Sequence, residues 1–231
     1  MLLAWFDQRL RMQLPCDHQA SAYINAVSTI HAYDERSATL RQDLVNIVGF
    51  SASPRPQGST AWVVDSILEG ARELGAQVRF WNAAQLNLLP CHACFACKTK
   101  GRRCVIQDDM ARIHSAILEA QALVLGMPIF MGQMSAQAKI FVDRLHPLFA
   151  PRFSPSFLEQ NAGKALILAF VQGNPDPELF RIYIDYTLQT FRTLEFDVRE
   201  SVVVTGTRSI MAQDQDGLHA RLKAIGSSFV S

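Results

Sequence analysis

Apolar residues form two kinds of pattern from residue 44 onward: short continuous runs, and longer stretches with an apolar residue every three or four positions. A short run rich in β-branched residues predicts a buried strand, and the longer spacing predicts an amphipathic helix. Strands are predicted at 44–50, 78–81, 122–127, 165–171 and 202–205. Helices are predicted at 63–74, 110–117, 134–148, 175–194 and 216–229. The regular alternation predicts an α/β fold in which helices cover both faces of a five-stranded parallel sheet.

Local signals predict where several of these elements begin and end. Gly75 is expected to close the first helix, because glycine is common just past a helix end. Asp108 or Asp109 is expected to cap the second helix. Pro128 is expected to stop the third strand, because proline cannot donate to a sheet ladder.

A different pattern occupies residues 1–43. Apolar residues at helical spacing run up to Pro15, and a second helical pattern follows at 20–30. Neither stretch carries a chemical motif. We therefore predict a helical N-terminal extension that packs against the domain or a partner subunit, with a mobile arm as the alternative. Residues 44–231 are then predicted to form a single domain.

Ligands of such a sheet bind outside the carboxyl ends of its strands, where the loops 51–60, 128–134 and 172–176 are predicted to lie. The first loop is rich in hydroxyls, contains Arg55 and leads into a helix N-terminus, where free N–H groups and the helix dipole attract anions. It has neither the Walker spacing nor Gly-x-Gly-x-x-Gly. We therefore predict that it binds a phosphate monoester, with a Ser/Pro-rich surface turn as the alternative.

The composition is typical of a soluble globular protein, with 49% hydrophobic and 19% charged residues. A formal net charge of +1 gives no electrostatic reason to expect nucleic acid as a partner. No apolar run reaches the length of a membrane span, so no membrane partner is expected. Asp7, Arg9 and Arg11 interrupt the N-terminal apolar residues before a signal-peptide core forms, and a cytoplasmic location is expected.

Four of the five cysteines lie close together, because Cys91, Cys94, Cys97 and Cys104 follow the spacing C-x2-C-x2-C-x6-C. In a reducing compartment such a group favours metal or redox chemistry over disulfides. The compact spacing suits the ligation of a [4Fe–4S] cluster, whereas zinc more often has two separated pairs. Thiols without any cluster are the open alternative. Cys16 is expected to be an unrelated thiol.

Three segments resemble a known family: SASPRPQGST in the first loop, GMPIFMGQMSAQAKIFVDRL at 126–145 and CHACFACKTKGRRCVIQDDM at 91–110. They are similar to the flavodoxin-like NAD(P)H-dependent FMN reductases, especially to the cysteine-bearing branch that includes the iron-sulfur flavoproteins. The resemblance covers residues 44–205. It implies a flavodoxin-like, doubly wound sheet and a cysteine segment beside the flavin.

The resemblance also implies which residues bind the cofactor FMN. Its phosphate would be held by the first-loop residues Ser51, Ser53, Arg55, Gly58, Ser59 and Thr60. Its isoalloxazine ring would lie beside the turn Pro128, Ile129, Phe130, Met131 and Gly132, and a weaker match adds Gln172, Gly173 and Asn174. Ser59 stands where the family often has Asn, and Phe130 lacks a phenolic hydroxyl. Core packing is the alternative role for Phe130 and Met131.

The implied activity is that of an FMN-dependent oxidoreductase. Electrons would pass from NADH or NADPH through FMN to a small acceptor such as a quinone, a flavin or a nitro compound. Because the flavin itself accepts the hydride, no acid–base pair is demanded and no catalytic side chain is predicted. A homodimer or homotetramer is expected, because the family completes its flavin site from a neighbouring subunit. Ser135, Lys139, Asp143 and Arg144 are predicted at helix-surface and subunit-contact positions.

Two alternative functions remain open on the sequence. One is an iron-sulfur flavoprotein that carries electrons through a [4Fe–4S] cluster on the four cysteines. The other is a redox or metal sensor that keeps the fold and uses the cysteines as its switch. We predict a reductase without an obligatory cluster, because the gap between Cys97 and Cys104 is long and strongly basic.

Overall fold

The computed structural model describes residues 45–99, 103–148 and 163–230. The helical extension predicted at 1–43 lies outside the described residues. No helix in the described part of the chain is both long enough and apolar enough to cross a lipid bilayer.

Six strands form the sheet of the described residues, and five of them are the parallel strands that the sequence predicts. The strands are β1 (Asn46–Ser51), β2 (Gln77–Asn82), β3 (Ala122–Phe130), β4 (Gln133–Met134), β5 (Ala165–Val171) and β6 (Asp197–Val204). The parallel strands lie in the order β2-β1-β3-β5-β6. The two-residue β4 pairs antiparallel with the end of β3. The sequence predicts five strands and not β4, because a strand of two residues is too short to show an apolar pattern.

Helices lie on both faces of the sheet, as predicted. The helices are α1 (Ser59–Glu73), α2 (Ala96–Thr99), α3 (Met110–Glu119), α4 (Ala136–Arg144), α5 (Arg181–Thr193) and α6 (Leu218–Ser227). Strand residues alternate between two cores. Val48 and Phe50 pack with the apolar residues of α3, α4 and α5. Ile47 packs with those of α1 and α6 on the other face.

Strand β3 continues two residues past Pro128, so the expectation that Pro128 ends it is wrong. The carbonyl of Gly126 accepts a hydrogen bond from the N–H of Ala52 on the β1 side. The backbone groups of Pro128, two residues later, face the same side, and the pairing of β1 with β3 has already ended at Ser51. The missing N–H of Pro128 therefore removes no bond from the sheet, while pairing with β5 continues.

Helix α5 begins at Arg181, six residues later than the sequence predicts. The intervening segment is a turn held by side chains. Asn174 Oδ1 accepts from the N–H of Asp176 at 2.8 Å, and Asp176 Oδ1 accepts from the N–H of Glu178 at 2.9 Å. Such local bonds compete with helix formation, which explains the late start.

Two residues that the sequence predicts at the surface are buried. Ser135 is 1% exposed, accepts from the N–H of Ala138 as the N-cap of α4 and donates to the carbonyl of Ala52 at 2.7 Å. The Arg144 side chain is also 1% exposed and pairs with Asp108. The prediction of surface positions is therefore wrong for Ser135 and Arg144. It is right for Lys139 and Asp143, which form an exposed ion pair.

Helices α1 and α6 approach each other closely through two glycines. A Cβ atom on Gly226 of α6 would lie 1.7 Å from the carbonyl oxygen of Ile67. A Cβ atom on Gly70 of α1 would lie 2.0 Å from the carbonyl oxygen of Lys223. The Ser227 hydroxyl also donates to the Gly70 carbonyl at 3.1 Å. These contacts hold α1, whose N-terminus follows the first loop, in a fixed position.

Candidate functional site

A cavity of about 420 Å³ lies at the carboxyl edge of the sheet, where the three predicted loops meet. Its walls come from the ends of β1, β3, β5 and β6 and from the N-terminus of α1. The predicted site residues that line it are Ser53, Arg55, Gly58, Ser59, Thr60, Pro128, Ile129, Phe130 and Gly173. A volume of this size is within the usual range for small-molecule sites.

The first loop presents the N-terminus of α1 to this cavity. Gly58 is the N-cap residue, and its carbonyl accepts the N–H groups of Ala61 and Trp62 at 3.0 and 3.2 Å. Helix geometry leaves the N–H groups of Ser59 and Thr60 without intrahelical partners. Those groups and the positive end of the helix dipole form a site for an anion.

Hydrogen bonds fix the shape of the first loop. Ser53 Oγ accepts from the N–H of Arg55 at 3.1 Å, so the backbone of the loop does not depend on the Arg55 guanidinium. Asn82 Nδ2, at the end of β2, donates to the carbonyl of Pro56 at 2.9 Å. Ser59 Oγ accepts from the N–H of Ala212 at 3.1 Å, and its own proton is still available to a ligand.

Ser51 lies just behind this loop rather than in the cavity wall. It is 0% exposed, and its hydroxyl has no hydrogen-bond partner among the described residues. A buried hydroxyl without a partner is rare and costly.

In the second loop, only the strand end faces the cavity. Pro128, Ile129 and Phe130 line it, whereas Met131 and Gly132 form the tip of the β3–β4 hairpin. Met131 and Gly132 have φ angles of 50° and 75°, the left-handed pair that a two-residue hairpin turn needs. Met131 is 100% exposed and Phe130 is 41% exposed, so core packing is excluded for both.

In the third loop, Gly173 lines the cavity while its neighbours shape the turn. Gln172 is 1% exposed, and its Nε2 donates to the carbonyls of Asn174 and Asp176 at 3.2 and 2.6 Å. The carbonyl of Asn174 also accepts from the N–H of Gly206. Gln172 Oε1 is buried without a partner among the described residues.

A fourth loop, which sequence reasoning missed, completes the cavity with Thr207, Arg208 and Met211. Thr207 Oγ1 donates to the carbonyl of Gln172 at 3.0 Å and joins this loop to the third. Arg208 packs closely against Gly173. A Cβ atom added to this glycine would lie 3.4 Å from the Cβ atom of Arg208. The sequence did contain a signal for this loop. The rule that ligands bind at the carboxyl ends of strands applies to the last predicted strand as well.

The charge and polarity of the cavity match the group that the sequence predicts. Two arginines, Arg55 and Arg208, line it, and the described lining residues include no carboxylate. Apolar surface from Pro128, Ile129 and Phe130 forms another part of the wall. These residues suit a ligand that carries both a phosphate and an apolar ring, and they therefore fit FMN.

All four clustered cysteines line a second pocket of about 280 Å³ in the segment that follows β2. Cys91 and Cys94 are exposed, Cys97 is buried and Cys104 is intermediate, and all four are free thiols. The chain therefore brings together the four thiols that the sequence predicts as ligands.

The backbone around these cysteines is curled tightly. Ala93 and Phe95, on either side of Cys94, have φ angles of 52° and 54° without being glycines. Such residues cost about 1–3 kcal/mol each and cluster at functional sites. The N–H of Ala93 donates to Cys91 Sγ at 3.4 Å. A curled backbone that donates to sulfur fits a cluster ligated by thiolates.

A single metal ion fits this pocket less well. In residues 45–99, 103–148 and 163–230, no group of three or more His, Cys, Asp or Glu side chains is arranged to hold one ion. A [4Fe–4S] cluster instead spreads its four thiolates over a larger body.

Cys97 has its own environment within the pocket. Its Sγ lies 3.6 Å from His146 Nδ1. Burial raises the pKa of the Cys97 thiol, and the neighbouring Lys98 charge offsets part of that effect. Burial, together with Lys98, lowers the pKa of His146. Both groups are therefore neutral near pH 7, and the Cys97 thiol would lose its proton on binding a metal.

Comparison with protein families matches residues 45–173 to the family described as NADPH-dependent FMN reductase. The match covers more than half of the chain and includes the first two predicted loops and the four clustered cysteines. The resemblance that the sequence motifs carry is confirmed.

Several relatives are iron-sulfur flavoproteins. One from Methanocaldococcus jannaschii is 38% identical over 104 residues, which are 45% of this chain and 53% of the relative. One from Methanosarcina thermophila is 32% identical over 122 residues, which are 53% of this chain and 62% of the relative. The chain thus matches only a little over half the length of these relatives.

Solved structures of flavin enzymes share the fold. The NAD(P)H:quinone oxidoreductase of Methanothermobacter marburgensis aligns with a TM-score of 0.61 at 13% identity, over 81% of this chain and 98% of that one. An FMN-dependent NADH-azoreductase of Bacillus anthracis, solved with FMN, aligns with a TM-score of 0.58 at 13% identity, over 81% of this chain and 100% of that one. These similarities confirm the flavodoxin-like fold.

Proposed function

The chain belongs to the NADPH-dependent FMN reductase family, and from that membership we propose that it is an FMN-dependent oxidoreductase. In this proposal, electrons pass from NADH or NADPH through bound FMN to a small-molecule acceptor such as a quinone, a flavin or a nitro compound. The supporting observation is a cavity lined by a helix N-terminus, two arginines and apolar side chains.

Each part of the cavity has a role in this proposal. The N–H groups at the start of α1 and the Arg55 guanidinium would hold the phosphate. Ile129 and Phe130 would pack against the ring and exclude water from it. When bound, FMN supplies the redox chemistry by accepting a hydride and passing electrons onward. The residues of the chain bind and orient, and the reaction demands no acid–base pair from them.

Steady-state kinetics test this function. Oxidation of NADH and NADPH is followed with a quinone, a nitro compound or free flavin as the acceptor, before and after FMN is removed from the protein. We expect turnover that depends on FMN. Turnover that is equal without FMN, or absent with every acceptor class, contradicts the proposal.

A second candidate function is electron transfer through a [4Fe–4S] cluster held by the four cysteines. The observation that favours it is the single pocket lined by all four thiols. The names of the relatives point the same way. The alternative of a metal or redox sensor uses the same thiols. A sensor would hold no cluster and would show no FMN-dependent turnover.

Replacement of one cysteine tests whether the four act as a unit. If the four cysteines hold a [4Fe–4S] cluster, anaerobically purified protein contains about four iron and four sulfide per chain, and Cys91→Ser loses most of both. FMN content and NAD(P)H oxidation should change little, because other loops form the flavin cavity. Cys91 is an exposed thiol, so the substitution does not disturb the core. Wild-type protein without iron and sulfide contradicts the cluster.

We also propose that the protein is a homodimer or a homotetramer. An exposed apolar patch, defined here as Leu179, Ile182 and Tyr186 with the hairpin tip at Gly132, lies next to the second loop. Ile182 is 87% exposed and Tyr186 is 74% exposed. Exposed patches of this kind mark contact surfaces.

Light scattering at micromolar concentration tests the assembly. We expect at least a dimer, and we expect Ile182→Lys to shift it toward monomer. Leu74→Lys is the matched control, because Leu74 is 52% exposed at the far end of α1. A fully active wild-type monomer contradicts this proposal.

A further inference from the structure

Arg144 lies in the wall of the cysteine pocket, where it is a buried cation with several fixed contacts. Its Nη1 and Nη2 donate to the two carboxylate oxygens of Asp108 at 2.7 and 2.8 Å. Nη1 also donates to the carbonyl of Leu89 at 2.6 Å. The backbone of Arg144 is held as well, because His114 Nε2 donates to its carbonyl at 2.5 Å. Both the position and the orientation of the guanidinium are therefore fixed.

These contacts join the two ends of the segment that carries the cysteines, named here the cysteine loop, of which the structure describes residues 90–99 and 103–107. Leu89 precedes the loop and Asp108 follows it, and the N–H of Leu89 donates to Asp108 Oδ2 at 2.8 Å. A second pair of bonds joins Asn87 to Asp109 in both directions. The Arg144 side chain bonds to Leu89 at one end of the cysteine loop and to Asp108 at the other. We call these contacts the clasp.

One donor of Arg144 is not used by this clasp. Its Nε is buried and has no hydrogen-bond partner among the described residues. Arg144 is at the same time one of the residues that line the cysteine pocket. A buried N–H without a partner is costly, and a charged one more so. A group bound in the pocket would satisfy it.

The electrostatic surroundings agree with this reading. An arginine guanidinium stays protonated in proteins, so Arg144 carries a full positive charge at the wall of the cysteine pocket. A buried ion pair is weak evidence for stability, because apolar residues of similar volume often serve as well.

We propose that Arg144 is a positioning residue for the cluster held by the four cysteines. Its Nη atoms hold the ends of the cysteine loop together, and its Nε–H donates a hydrogen bond to a sulfur of the ligand set. Donors near the sulfurs stabilise the more negative, reduced state, so Arg144 raises the reduction potential of the cluster. This inference rests on the proposed cluster function and deepens it.

Two variants test the proposal. Arg144→Lys keeps the charge but loses the forked donors and Nε. The double variant Arg144→Met with Asp108→Asn removes the pair without leaving a buried charge behind. Arg112→Met is the matched control, because Arg112 forms an exposed ion pair with Asp109 next to the clasp. FMN affinity reports whether each variant has folded.

Two measurements separate the two roles of Arg144. Tryptic cleavage after Lys98 and Arg103 in the iron-free protein reports opening of the cysteine loop. We expect it to be roughly tenfold faster in both test variants and unchanged in the control. A redox titration of the reconstituted protein, with the cluster followed by electron paramagnetic resonance, reports the midpoint potential. We expect it to move to a more negative value in both test variants.

The outcomes are distinguishable. Faster cleavage with a lower midpoint potential supports the proposal, and loss of the cluster from both folded test variants supports it as well. An unchanged midpoint potential overturns it, even if cleavage is faster, because Arg144 is then only a clasp. Loss of FMN binding in both test variants also overturns it, because the pair is then needed by the whole fold. Wild-type protein that holds no iron overturns the proposed cluster and, with it, the role of Arg144, whereas an iron-loaded wild type with an unchanged midpoint potential in both variants overturns the role of Arg144 alone.

Discussion

Gly226→Ala is expected to destabilise the folded protein by about 3 kcal/mol, the upper end of the range for overpacked cores. The added Cβ would lie 1.7 Å from the carbonyl oxygen of Ile67, so a backbone atom rather than a flexible side chain has to move. Helix α6 must then separate from α1. For a domain of this size, the expected loss corresponds to a fall in melting temperature of about 6–12 °C.

Ala224→Gly is the matched control for this prediction. Ala224 is an exposed residue of the same helix, and the change should cost about 1 kcal/mol through helix propensity alone. Propensity by itself would make Gly226→Ala stabilising by the same amount. A Gly226→Ala protein that melts at or above the wild-type temperature would therefore refute the close packing of α1 and α6.

Arg55→Ala is expected to weaken FMN binding about tenfold to a hundredfold. A hydrogen bond between a guanidinium and a phosphate contributes on the order of 1.5–3 kcal/mol, which corresponds to that range of affinity. The Arg55 side chain is exposed, and the loop is held by the bond from its backbone N–H to Ser53. The substitution should therefore leave the fold intact. Quenching of FMN fluorescence measures the affinity.

Arg72→Ala is the control for charge alone. Arg72 lies in the last turn of α1 and pairs with Asp65 at the surface, so its loss changes the net charge equally. FMN affinity should be unaffected. Equal affinities in wild type and Arg55→Ala would remove Arg55 from the phosphate site.

Local sequence patterns predicted the sheet well wherever a strand is buried on both faces. The run 165–171 is continuous and apolar, and β5 occupies the same residues. The edge strand β6 begins at Asp197, five residues before its predicted start, because its first half is mostly exposed and polar. Periodicity detects burial, so it misses the part of a strand that faces solvent.

The errors at the sites have a different physical origin. Arg144 was assigned to the surface because a helical pattern treats a charged residue as exposed. Its partner Asp108 lies 36 residues earlier, and a pairing over that distance leaves no local signal. Arg208 was missed because its loop carries no motif, and only the general rule that ligands bind at the carboxyl ends of strands pointed to it. Tertiary contact places Arg144, and the topology of the sheet places Arg208.

Anaerobic reductive titration tests whether the protein holds FMN and whether NADH or NADPH reduces that FMN. Protein loaded with FMN and freed of unbound flavin is mixed stepwise with NADH or NADPH, and the flavin absorbance is recorded. We expect FMN to stay with the protein through gel filtration and its absorbance to bleach in proportion to the added nicotinamide. Protein that retains no FMN, or bound FMN that stays oxidised with both nucleotides, would contradict it.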